Sequence, residues 1–209
     1  MSRQYSDSCL IQFARAPLLG QVKTRLEPAL GKERCLALHQ ALVAHQFRTQ
    51  LSAAVCDVEL WCSHEHSFFH QLVGATGVPI RQQQGSDLGE KMGHAMMDGL
   101  NRYAYVVIIG SDCPAMDGCY ISQALALLHQ GVPAVFGPAT DGGYVLIGLS
   151  RFDPVIFEGI SWGTDRVMAQ TRQQLQQLNW SWRELGFLAD IDHPCDLKHL
   201  SGITELQVF

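Results

Sequence analysis

Apolar positions along the chain fall into short runs and helical stripes that alternate. Cys9-Leu10-Ile11-Gln12-Phe13-Ala14 reads as a first strand. After Gly31, the residues Leu36, Leu38, Leu42, Val43 and Phe47 recur at helical spacing and predict a long helix. Asp57 to Cys62 is a second strand, Glu65 to Val73 a short helix closed by Gly74 and Gly77, and Pro79 to Gln83 a short third strand. Asp87-Leu88-Gly89-Glu90 has capping-box spacing and opens a helix to about Arg102, with Met92, Ala95, Met96 and Leu100 inward. Tyr105-Val106-Val107-Ile108-Ile109 is an apolar, β-branched run that suits a strand buried on both faces. A helix from about Tyr120 to His129 follows, then strands at Ala134 to Phe136 and Tyr144 to Leu149 about an Asp141-Gly142-Gly143 turn. That connection is too short for a parallel crossover, so the Tyr144 strand is expected to be antiparallel. Thr164 is placed to cap a helix to about Leu178, Trp180 to Leu188 contains an extended segment, and Pro194 opens a short final helix. The alternation predicts an α/β fold, one domain over residues 1–209, with a mainly parallel central sheet covered by helices on both faces.

Composition narrows the function classes. A chain of 209 residues with 47% hydrophobic and 17% charged residues has the make-up of an ordinary globular protein. A net charge of -5 argues against nucleic acid as a partner. Seven cysteines form no Cys-x-x-Cys pair, so neither a disulfide framework nor a zinc ribbon is indicated. Met1 to Ser8 is polar without an apolar signal core, and no apolar run reaches the length of a membrane span, so a cytoplasmic location is expected.

Three stretches carry the chemistry. The central apolar run stops at Gly110-Ser111-Asp112-Cys113-Pro114, where Pro114 cannot continue a ladder. In an open α/β sheet the ligand lies at the carboxyl ends of the strands. Asp112 there is either a hard-cation ligand or a cap for the next helix. After the first strand, Arg15, Lys23 and Arg25 cluster within a loop of an otherwise acidic chain, which suits a nucleotide phosphate or is simply a solvated basic loop. The Gly20-Gln21-Val22-Lys23-Thr24 segment lacks the glycine spacing of a P-loop. Asp190-Ile191-Asp192-His193-Pro194-Cys195-Asp196 offers either a second metal carboxylate or residues that complement a helix dipole. His66 and His70 stand four apart on a helix, a metal-binding spacing that no neighbouring Cys or Asp supports, so a surface helix is the simpler reading.

Five motifs, at residues 13–26, 110–114, 137–144, 160–167 and 190–197, come in the order seen in one bacterial family. The chain resembles the glycosyltransferase-A-like proteins, including arsenosugar-biosynthesis-type glycosyltransferases, within the nucleotide-diphospho-sugar transferase superfamily. The resemblance implies the Rossmann-like glycosyltransferase-A fold and a transferase acting on a nucleotide or nucleotide-sugar and a small-molecule acceptor. It places Ala14, Arg15, Lys23 and Arg25 in the nucleotide-binding loop and Asp87, Leu88 and Gly89 at the base pocket. Lys91 stands where Arg is commoner, which leaves the base open. Asp112 and Asp192 correspond to carboxylates that hold Mg2+ or Mn2+, with His193 and Cys195 in place of the usual Thr and Glu. Lys23, Asp112 and Asp141 are the expected catalytic residues, and Gly142, Gly143, Trp162 and Thr164 face the acceptor side. On the residues alone, Asp141 reads as a hairpin-turn residue and Trp162 as a packed pocket wall. The Asp-x-Asp signature of many glycosyltransferases is absent, since Cys113 and Pro114 follow Asp112. Sugar transfer with a nucleoside diphosphate leaving is the leading expectation. Nucleotidyl transfer to a phosphorylated acceptor and a silent nucleotide-binding domain are the alternatives.

Overall fold

The computed structural model describes residues 3–209; Met1 and Ser2, the start of the polar N-terminal stretch, lie outside the described residues. Seven strands form one sheet: β1 (Ser8–Ala14), β2 (Asp57–Cys62), β3 (Ile80–Gln82), β4 (Tyr105–Ile109), β5 (Ala134–Pro138), β6 (Tyr144–Leu149) and β7 (Trp182–Glu184). Their order is β3-β2-β1-β4-β6-β5-β7, so the apolar run at Tyr105–Ile109 lies in the middle. Only β6 runs against the rest, antiparallel to both β4 and β5. The expected mainly parallel sheet and the reversed strand after the Gly-Gly turn are both present.

Helices α1 (Glu27–Leu30), α2 (Lys32–Ala53), α3 (Ser67–Val73), α4 (Leu88–Leu100), α5 (Gly118–His129) and α6 (Val167–Gln177) complete the fold. Alternate residues of each strand feed two cores. Leu10 and Leu60 pack with Phe47 of α2, Phe69 of α3 and Leu125 of α5. Ile11 and Ile108 pack with Met96 of α4 and with Met168 and Leu175 of α6. A third cluster seats Ile191, Leu200 and Leu206 of the C-terminal segment on Leu38 and Leu42 of α2. That cluster holds the C-terminal acidic motif beside the β1 loop.

Several local expectations are met and others are corrected. Asp87 caps α4, its Oδ1 accepting from the Glu90 amide at 2.8 Å. Asp117 caps α5 in the same way, so that helix starts two residues before Tyr120. His66 caps α3 by accepting from the Phe68 amide, and His70 faces Glu65 on the surface, so the histidine pair serves a helix end. Thr164 does not cap α6: its hydroxyl donates to the Ser161 carbonyl, and the helix begins at Val167 with the Gly142 carbonyl accepting from the Met168 amide. The carbonyl of the packed turn replaces the expected side-chain cap. Of the extended stretch Trp180 to Leu188, only three residues pair as β7, because Leu185 and then Leu188 resume contact with β5 at separate points around Gly186. All seven cysteines are unpaired and five are buried. No helix among the described residues is long and apolar enough to cross a membrane.

Candidate active site

The carboxyl ends of β1 and β4 are tied together by a buried polar relay. Gln12 Nε2 donates to the Val43 carbonyl of α2 and to Ser111 Oγ, and Ser111 Oγ donates to the Phe13 carbonyl. This fixes Asp112 next to the loop that leaves Ala14, a buried residue at the end of β1. His39, buried beneath that loop, bonds the Arg15 carbonyl through Nε2 at 2.9 Å. Burial holds its imidazole below the usual range, which keeps it neutral and makes Nε2 the donor. The Arg15 side chain itself is exposed.

Lys23 occupies a position that sequence alone does not disclose. Its backbone is left-handed at φ 51°, and its side chain is only 3% exposed. The ammonium lies 2.9 Å from Asp112 Oδ1 and donates to the Ile191 carbonyl at 2.6 Å. The Ile191 amide in turn donates to the Asp112 carbonyl at 2.9 Å. Lys23 is therefore a buried pin between the β1 loop, the end of β4 and the C-terminal motif. Burial raises the Asp112 carboxyl, but the Lys23 ammonium, with help from Arg15, outweighs it and holds the group below the usual carboxylate range. Arg25, more exposed, pairs with Asp192 Oδ2.

The C-terminal motif divides its carboxylates by role. Asp196 accepts from the amides of Asp192 and His193, capping the Pro194–Leu200 turn of helix. Asp192 faces Arg25. Asp190, which had no separate role in the motif, lines both cavities together with Asp141: burial, reinforced by Asp141, Asp192 and Asp112, pushes its carboxyl up to about 6. Extended residues two apart share a face, so spacing could not tell Asp190 from Asp192. The sole signal was the doubling of the carboxylate.

Asp141 Oδ1 accepts from the Gly143 amide at 2.9 Å, closing the turn between β5 and β6. Gly142 sits at φ 90° with the Asp165 carbonyl 2.2 Å from where a Cβ would be, so no side chain fits. The turn is thereby locked to the residues before α6. Asp141 is a turn residue and also lines the cleft.

Two cavities meet there. One of about 230 Å³ has mostly apolar walls with Trp162, Thr164, Gly143, Asp141 and Asp190 along one side. The other, about 460 Å³, is lined by Arg25, Thr164, Asp141, Asp190, Asp192 and Asp196. Trp162 is half-buried and lies against Gly89, where a Cβ would meet the indole at 2.9 Å. Gly89 thus admits the pocket wall onto the first turn of α4, while Asp87 faces solvent as the cap.

The donor set can be compared with the needs of Mg2+ or Mn2+. Asp112 Oδ1 is sealed from solvent and receives no hydrogen bond of good geometry. Among the described residues no three His, Cys, Asp or Glu side chains form a ready-made cage. Magnesium is commonly held by one or two carboxylates together with substrate phosphates, and Asp112 and Asp192 are oxygen donors of that kind, each facing a cation here, Lys23 and Arg25.

Two predictions arise from this geometry. Arg25→Ala is expected to weaken nucleotide binding by about 1.5–3 kcal/mol, the range for charge-assisted hydrogen bonds, and Lys23→Ala to weaken it indirectly, by releasing Asp112 and the Ile191 segment. Titration calorimetry checks this, and unchanged affinity in both variants would remove the loop from the site. Arg48→Ala, exposed on α2, is the control; Arg34, although also exposed, is less suitable because it bonds the carbonyls of Val208 and Phe209. The second concerns pH. Asp190 titrates near 6 in the folded chain against about 3.9 when unfolded, so the folded state holds the proton more tightly. Its stabilising contribution is present below about pH 4 and lost as pH rises toward 6. Asp190→Asn should therefore gain stability relative to the parent across that window in urea titrations. A difference that does not vary with pH would contradict the assignment.

The fold and this cleft define a protein of the nucleotide-diphospho-sugar transferase superfamily. Residues 46–164, more than half of the chain, match the family described as "Uncharacterized protein conserved in bacteria" (DUF2064), and the chain belongs to that family. A crystal structure from Desulfovibrio desulfuricans G20, provisionally named a nucleotide-diphospho-sugar transferase, is 32% identical with a TM-score of 0.83; the match covers 90% of this chain and 83% of that one. The chain is also similar to CMP:2-keto-3-deoxy-manno-octonic acid synthetase complexed with CTP, at 11% identity and TM-score 0.62, over 97% of this chain and 100% of that one. Glucosyl-3-phosphoglycerate synthase from Mycobacterium tuberculosis, solved with Mn2+, UDP and glucosyl-3-phosphoglycerate, matches at 10% identity and TM-score 0.56, over 93% of this chain and 75% of that one. These last two likenesses concern the fold alone. No curated protein is a significant match.

Proposed function

We propose that the chain is a metal-dependent transferase that moves the sugar of a nucleotide-diphospho-sugar to a small acceptor. The observation that carries this reading is the convergence of Lys23 and Arg25, from the β1 loop, on Asp112 and Asp192 at the carboxyl end of β4. Cationic and anionic groups meeting at that edge suit a diphosphate and its counter-ion. Mg2+ or Mn2+ held by Asp112 and Asp192 would supply charge neutralisation on the diphosphate oxygens. Arg25 lowers the cost of the negative charge that builds on the leaving diphosphate, while the buried Lys23 holds Asp112 in place. Arg15 stands at the start of the same loop, and Asp87 and Gly89 open α4 on the base side. Asp141 accepts the proton of the incoming hydroxyl, with Asp190 beside it, while Gly142 and Gly143 hold the turn and Trp162 and Thr164 wall the acceptor side.

The second reading is nucleotidyl transfer, favoured by the fold shared with a CTP-bound synthetase. There a phosphate on the acceptor attacks the α-phosphate of a nucleoside triphosphate and pyrophosphate leaves. Phosphorus NMR of the purified chain with Mn2+-free Mg2+, candidate sugar nucleotides or triphosphates, and pooled small alcohols or phosphate esters separates the two. Nucleoside diphosphate formed from a sugar nucleotide supports sugar transfer. Pyrophosphate formed from a triphosphate overturns it in favour of the second reading.

A further inference from the structure

The smaller cavity states what kind of acceptor fits, on the assumption that the sugar-transfer reading holds. Its walls on the α4 side are Phe13, Met92, Ile108 and Trp162, all part of or packed against one apolar core. The wall is built in place. The Trp162 indole is held between Gly89 and the rings of Tyr144 and Phe157, at centroid distances of 6.4 and 6.0 Å. A volume of about 230 Å³ exceeds the roughly 150 Å³ of an apolar cavity that takes benzene, so one or two fused rings can enter.

Charge narrows the class further. Among the described residues the lining contains no Lys, Arg or His; its carboxyl groups are Asp141 and Asp190, and burial keeps the Tyr144 phenol neutral. The same two carboxyls border the larger cavity, whose lining adds Asp165, Asp192 and Asp196 but also brings Arg25 and His193, so a diphosphate there depends on Arg25 and a divalent ion. A diphosphate would therefore find its cation on the far side of Asp141 and Asp190, in the larger cavity. A phosphate or carboxylate entering the smaller cavity would face two carboxyls with no counter-charge, a juxtaposition that rejects wrong partners.

We propose that this cavity receives the acceptor, and that the acceptor is an uncharged, ring-bearing alcohol rather than a phosphorylated or carboxylated compound. In the step that follows, the acceptor oxygen forms a bond to the sugar's anomeric carbon as the bond from that carbon to the diphosphate oxygen breaks. The electron pair leaves with the nucleoside diphosphate, and the hydroxyl proton passes to the Asp141 carboxylate.

Two probes of one shape test this on the full chain: 2-naphthol and 2-naphthyl phosphate, titrated with tryptophan fluorescence and calorimetry. The naphthol should bind and the phosphate ester should bind at least about tenfold more weakly, the sign expected for an uncompensated like charge. Leu88→Trp is the site-directed control, because Leu88, which the family resemblance set at the base pocket, lines this cavity while remaining 44% exposed, so a larger side chain can block entry without disturbing the core. It should abolish naphthol binding and leave the melting temperature unchanged. Asp141→Asn combined with Asp190→Asn should bring the ester's affinity up toward that of naphthol. Equal or tighter binding of the ester to the parent, no naphthol binding, or indifference to Leu88→Trp each overturns the proposal. Displacement of bound naphthol by a nucleoside monophosphate would mean that the cavity holds the base and overturns the proposal. A parallel titration with sugar nucleotides keeps the two readings apart. Nucleotide binding without naphthol binding removes the acceptor class alone, and naphthol binding without any nucleotide binding removes the transferase reading.

Discussion

Asp141→Asn should leave nucleotide affinity intact while turnover falls by about 10²–10⁴, the range for losing general acid–base help. The substitution isolates chemistry from folding. Asp141 Oδ1 accepts from the Gly143 amide, and an asparagine oxygen makes the same bond in the same tight turn. Gly142 continues to fit beneath the Asp165 carbonyl, so the loop stays docked against α6. What changes is the capacity to take a proton at the boundary of the two cavities. Turnover equal to the parent with a matched substrate pair would leave Asp141 with the turn role only.

Glu59→Ala is expected to destabilise the chain by on the order of 3 kcal/mol, the low end for breaking a buried ion pair. Glu59 is 2% exposed on β2, accepts from Arg102 and from Trp61 Nε1 at 2.9 Å, and forms an ion pair with Arg81, whose Nε lies 3.1 Å away. Arg102 also holds Asp98 at 2.6 Å. Without Glu59 the two guanidinium groups face each other over a buried gap, although both are about a third exposed and water can take part of the charge. At roughly 2–4 °C per kcal/mol for a chain of this size, the melting temperature should drop by about 6–12 °C. Glu59→Leu with Arg102→Leu should recover much of that loss, because a well-packed apolar pair can replace a buried ion pair. A drop below about 2 °C for the single variant would mean that the cluster is effectively solvated.

The sequence disclosed most where one local rule decides the outcome. The β-branched run Tyr105–Ile109 could only be a strand buried on both faces, and it lies in the centre of the sheet. The short Asp141-Gly142-Gly143 connection required β6 to reverse, and Asp87 capped α4 as its spacing indicated. Tertiary contacts overrode local chemistry elsewhere. Thr164 has a good capping side chain, but the Gly142 carbonyl, 22 positions away in sequence, takes the helix amide instead. Lys23 looked like a loop cation free for phosphate; its burial against Asp112 depends on Ile191, which only folding of the C-terminal segment over α2 brings near. Asp190 and Asp192 were indistinguishable by spacing and are separated by their surroundings: Asp192 pairs with Arg25, and Asp190 joins Asp141 in lining the smaller cavity. The cluster around Glu59 went unread because its members come from β2, β3 and the end of α4.

The central claim is that a nucleotide-diphospho-sugar sits over the β1 loop with a divalent ion at Asp112 and Asp192. A thermal-shift panel of nucleoside mono-, di- and triphosphates and nucleotide-sugars, each with and without Mn2+, tests it most directly. The account predicts stabilisation by at least one nucleotide-sugar that depends on the metal and is lost in Asp112→Asn. Metal-independent binding, a response confined to triphosphates, or no response across the panel would contradict it.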